Sequence, residues 1–126
     1  MLLGHDPWRR YRLHPDHRAA GFVTLDALVA ARDPHFFTEL GVAPHRPSAL
    51  LLWEADLVNH VERSDGFDTV KVDALLRHAS QLTSTMGITE GDDRDAFASR
   101  IAFQLAQHGA VAGFPAGEAF HLIDQL

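Results

Sequence analysis

Cysteine is absent from this 126-residue sequence. That excludes disulfides, thiolate metal ligands and a cysteine nucleophile, and leaves the fold to rest on its hydrophobic core. Long apolar runs are missing too. None is longer than Ala49–Trp53, far short of the roughly 20 residues that a membrane-spanning helix requires, so no membrane association is expected. The N-terminus, MLLGHDPWRR, meets Asp6 and Pro7 before any apolar segment develops, and reads as no signal peptide. Lysine is scarce, with one residue against ten arginines. With the abundant alanine, this usage suggests a bacterial coding sequence, and the missing cysteine fits a cytoplasmic protein.

What is present describes an ordinary folded domain. A hydrophobic content of 46% with 22% charged residues argues against disorder, and the length suits a single domain. The net charge of −6 is unevenly placed. Residues 1–18 hold four arginines against Asp6 and Asp16, a local charge of +2, while the rest holds 7 basic and 15 acidic groups, a charge of −8. An acidic body repels phosphate backbones, which disfavours nucleic acid as a partner.

The punctuation is helical. Residues 5–18, with two prolines and no clean period, read as an extended arm. Thr24 is placed to cap Leu25–Arg32, Asp33 and Pro34 to open a short second helix, and Ser48 to cap a central helix, ALLLWEADLVNHVER. A further helix runs from about Thr69 to Met86, with Gly87 ending it. Thr89 to Asp92 matches a capping pattern ahead of a helix whose stripe is Phe97, Ile101 and Leu105. Residues 118–126 form a last short helix or strand. The expected fold is all-α: a single-domain bundle of five to six helices over residues 19–126, with an extended arm at 1–18. Any minor β-ribbon would run through Phe22–Val23 or Val70–Val72.

One pattern repeats. Val23, Asp26, Ala27 and Leu28 recur as Val70, Asp73, Ala74 and Leu75 at an offset of 47 residues. The spacing is similar to an EF-hand loop feeding its helix, with Asp16 at loop position 1 and Gly21 at position 6. Calcium requires several converging oxygens, yet Arg18, Ala20 and Ala27 occupy ligand positions. The repeat therefore reads as two similar helix starts, each with an acidic first turn.

Nine histidines supply the remaining chemistry. HPDH at 14–17 offers the imidazoles of His14 and His17, and Asp56 with His60 would lie four apart on the central helix. His60 and His108 also suit helix C-termini, and His78 borders an apolar stripe. Nucleophile-elbow, Walker and dinucleotide motifs are absent, so no catalytic residue and no cofactor is expected. In the arm, Trp8, Arg9, Arg10, Tyr11 and Arg12 are of the types enriched at protein interfaces. The leading expectation is a small protein-binding module, an adaptor, regulator, inhibitor or immunity factor, with self-association as one outcome. The alternative is a metal-binding protein or enzyme built on His14, His17, Asp56 and His60.

Overall fold

The apolar run ending in Trp53 is a strand, not a helix. In the computed structural model, which describes residues 1–9, 14–91 and 93–126, β1 (Leu2–His5) leads to α1 (Pro15–Arg32), β2 (Leu50–Trp53) and β3 (His60–Arg63). Then come α2 (Asp68–Leu76), α3 (Asp93–Val111) and β4 (Gly117–Ile123). The strands form one mixed sheet in the order β1-β2-β4-β3, with β1 parallel to β2 and β2 antiparallel to β4.

The expected all-α bundle is thereby corrected to an α/β fold. Leu50 and Leu52 are completely buried and Leu51 nearly so, so β2 is covered on both faces. A strand covered on both faces reads as a continuous apolar run, and a run this short has no period to separate it from a buried helix. The expected ribbon positions, Phe22–Val23 and Val70–Val72, lie inside α1 and α2 instead. Nor is the N-terminus an extended arm throughout, because β1 and the start of α1 fall within residues 1–18.

The chain forms two units, Met1–His60 with Ala119–Leu126, and Val61–Glu118. In the first, Leu28 of α1 packs with Leu50 and Leu52, flanked by Leu2, Leu25 and Ile123. His14 caps α1 by accepting the Asp16 backbone N–H at Nδ1, and Pro15 occupies the first turn, where its missing N–H costs nothing. The helix stops at Asp33, held extended at φ −96° and ψ 122° because Pro34 disfavours helical geometry in the residue before it. Asp33 was expected to cap a following helix. It instead accepts the His35 N–H in a tight turn. Two glycines set the distance from α1 to β1. A Cβ on Gly4 would fall 2.5 Å from the Thr24 side chain, and one on Gly21 2.7 Å from the His5 carbonyl oxygen.

In the second unit Met86, Ile88, Phe97, Ile101 and Leu105 form the core, with Val72, Leu75, Leu76 and Leu82 against it. The stripe read from α3 is buried as expected, and Gly87 takes the left-handed conformation at φ 72°. The preceding helix is shorter than its pattern suggests. It ends at Leu76, and a 3₁₀ turn and a π turn carry the chain on to Met86. At the head of α3 the Asp93 carboxylate accepts both backbone N–H groups of Thr89 and Glu90 and the Thr89 hydroxyl. Those bonds hold its carboxyl below the ordinary value. Asp92, the expected partner in this cap, lies outside the described residues. Among the described residues no helix is long and apolar enough to cross a membrane.

Candidate active site

The parallel pair β1·β2 points both strands the same way, and their last residues, His5 and Trp53, stand in register. In open α/β sheets, sites form outside the carboxyl ends of parallel strands. Here His5 ends β1, Glu54 follows β2 directly, and the first turn of α1 brings His17 over them. The His5 and His17 rings stack with centroids 4.5 Å apart. This overlap depends on Gly21, one helical turn beyond His17, which lets the helix rest against the His5 carbonyl. His5 Nδ1 faces Glu54 Oε2 at 3.5 Å, and His14 lies beside His17 with ring centroids 5.5 Å apart.

Donor atoms of His5, His17 and Glu54 lie within 4.8 Å of one another. Two imidazoles and a carboxylate are a donor set that suits zinc and similar divalent ions, and this set also leaves a position for water or substrate. Glu54 carries a second mark of specialisation. Its φ of +53° is left-handed, a conformation that costs a non-glycine residue of order 1–3 kcal/mol and persists only where its surroundings impose it.

Those surroundings centre on Asp6, the one buried charged side chain among the described residues. Its Oδ1 accepts the Trp8 N–H and its Oδ2 the Asp56 N–H, both at 2.8 Å. Its own N–H donates to the Trp53 carbonyl. The Arg9 guanidinium donates to the Ala55 carbonyl at 3.2 Å. A shallow groove of about 250 Å³ elsewhere in the unit, walled by Phe36, Phe37, Leu40 and Val42, includes none of these groups.

Of the four metal-ligand candidates, His14 and His17 stand at the cluster. Asp56 and His60 do not share a helix face, since Asp56 lies in the loop after β2 and His60 opens β3. Neither Glu54 nor His5 was among the ligand candidates read from the sequence. The hint was Leu-Leu-Gly-His-Asp itself, a short apolar run ending in polar chemistry, as a strand leading into a site does. Trp8 is half exposed, 6.4 Å from His121 by ring centroids. Arg10, Tyr11 and Arg12 lie outside the described residues.

Histidines and a carboxylate gathered past the ends of parallel strands place this chain among α/β proteins that build a polar site on a sheet edge of this kind. No family model matches it. Over 85 residues, 64% of this chain, it is 36% identical to a diacetylchitobiose deacetylase of Thermococcus kodakarensis and covers 32% of that protein. A solved structure of N,N'-diacetylchitobiose deacetylase from Pyrococcus horikoshii, complexed with its inhibitor MPG, superposes with a TM-score of 0.76 at 23% identity. That match covers 97% of this chain and 45% of the other. The chain thus spans about a third of the curated relative and under half of the solved one.

These similarities overturn the leading functional expectation. Both proteins are named as enzymes, so the protein-binding module gives way to the alternative built on histidines and carboxylates, and the expectation of a non-enzyme falls with it. The bacterial source inferred from composition finds no support either, since both organisms are archaeal.

Proposed function

We propose that this chain carries part of the active site of a metal-dependent deacetylase that hydrolyses the N-acetyl amide of an amino sugar. The observation that carries this reading is the convergence of His5, His17 and Glu54 donor atoms within 4.8 Å. The relatives supply the substrate class. In amide hydrolysis a water oxygen bonds to the acetyl carbon, the C–N bond breaks, and the water's protons are shared out so that acetate and the free amine leave. A divalent ion bound by His5, His17 and Glu54 would supply polarisation of the carbonyl and acidification of water. His14 has the geometry to serve the leaving group. Its Nδ1 accepts the Asp16 N–H, so the neutral ring bears its proton on Nε2 and can donate a hydrogen bond from there to the departing nitrogen. Cytoplasmic location belongs to the same proposal, on the cysteine-free composition.

The test uses the chain as it stands. Zinc titrated by calorimetry should bind at one ion per chain, and His17→Ala should abolish binding without unfolding the protein. Incubation with N,N'-diacetylchitobiose should release acetate, and His14→Gln should lower the rate while leaving zinc affinity intact. An unsubstituted chain that binds no zinc, or a His17→Ala chain that binds it equally well, sinks this reading.

A further inference from the structure

We infer that Asp6 is the positioning residue of this site: it brackets Glu54 and thereby sets the carboxylate against His5 and His17. The inference rests on the metal-site reading above and adds to it the residue that gives the site its shape. Asp6 grips the chain on both sides of Glu54. Its backbone N–H holds the Trp53 carbonyl just before that residue, and its Oδ2 holds the Asp56 N–H just after it. Between those two bonds the backbone has no slack, and Glu54 takes the left-handed φ of +53°. The Arg9 guanidinium on the Ala55 carbonyl reinforces the same short segment.

Asp6 also follows His5 directly, so one residue governs both the end of β1 and the turn after β2. Its other oxygen, Oδ1, turns the chain back on itself through the Trp8 N–H. The carboxylate is buried, and each oxygen accepts a backbone N–H. An ionised carboxylate accepts at both oxygens, whereas a carboxamide of the same shape presents an NH₂ on one side. Asp6→Asn therefore sets an amide donor against one of the two backbone donors and opens the bracket while leaving the core volume unchanged. Outer groups that orient metal ligands typically govern metal affinity by about 10–100-fold.

Cobalt(II) is the probe, because its visible spectrum reports ligand geometry. The unsubstituted chain and Asp6→Asn are titrated side by side, with circular dichroism and melting as checks on the fold. Asp6→Asn is expected to bind cobalt at least about tenfold more weakly and to show an altered spectrum. Affinity within twofold, with an unchanged spectrum, overturns the bracket. Hydrogen exchange gives a second measurement that needs no metal and no variant. In the unsubstituted chain the Asp56 and Trp8 amides should be strongly protected although both residues are exposed, and rapid exchange at Asp56 overturns the proposal even where Asp6→Asn fails to fold. A chain that takes up no cobalt removes the metal reading instead, and the protection of Asp56 then decides the bracket by itself.

Discussion

Trp53 donates its indole N–H to Nε2 of His5 at 3.3 Å. The bond joins the last residues of two parallel strands and fixes which imidazole nitrogen faces Glu54, since Nδ1 lies 3.5 Å from the carboxylate. A neutral ring then has no bare nitrogen left, so His5 takes up an ion only when this bond opens.

Trp53→Phe keeps an aromatic ring at the strand end and removes this donor. The expected loss of stability is about 0.5–1.5 kcal/mol, the net worth of one hydrogen bond, together with zinc binding at least as tight, since the indole no longer competes for the ring. Urea unfolding and calorimetry check the two parts. A loss above roughly 3 kcal/mol would mean that Trp53 fills the core.

Gly21→Ala would drive a methyl group to 2.7 Å from the His5 carbonyl oxygen, a backbone atom with little room to yield. Overpacking of this kind costs typically about 1–3 kcal/mol. Because His17 lies one turn away, zinc affinity should fall as well. Gly41→Ala is the control. That glycine has open space around it, so the variant should carry only backbone strain and leave zinc binding unchanged.

Leu52→Ala and Leu105→Ala empty two fully buried positions, one in each unit. Each should cost about 2–5 kcal/mol in urea unfolding. Only Leu52, next to Trp53, should also disturb zinc binding, and equal effects on zinc from both would contradict the placement of the site.

Asp93→Asn should destabilise the protein in a pH-dependent way. Backbone bonds from Thr89 and Glu90, with the Thr89 hydroxyl, lower the folded carboxyl below its ordinary value of 3.8. A carboxyl lowered by folding contributes stability that is fully present above the unfolded value and is lost as pH falls through the lower, folded value. Melting temperatures of the two proteins should therefore differ at pH 7 and converge as the pH falls through the lowered, folded value. A difference that persists at low pH would assign the effect to something other than the ionised cap.

The helical unit was the more legible half of the sequence. Phe97, Ile101 and Leu105 repeat at four-residue intervals, and Gly87 follows an apolar stripe, so periodicity and punctuation agree there. The sheet left no such trace. Leu50, Leu51 and Leu52 are buried on both faces, which removes the alternation that marks a half-exposed strand. Once that segment read as a helix, Asp56 and His60 fell on one face, and that reading failed with it. At the site only HPDH was visible, because its partners arrive through strand pairing rather than local spacing. Gly21 drew notice as a turn residue, whereas its work is to let a helix approach a strand.

The pairing of Leu2, Leu3, Gly4 and His5 with Leu50, Leu51, Leu52 and Trp53 acts as a ruler for everything beyond it. A strand advances about 3.3 Å per residue and turns successive side chains to opposite faces. Deleting any one residue from positions 2–4 would draw His5 back by that step or flip it across the sheet. Exchanging Leu2 or Leu3 for another apolar residue would leave the ruler intact. Chain length along β1 is thus held more tightly than side-chain identity, and indels there should be far more damaging than substitutions.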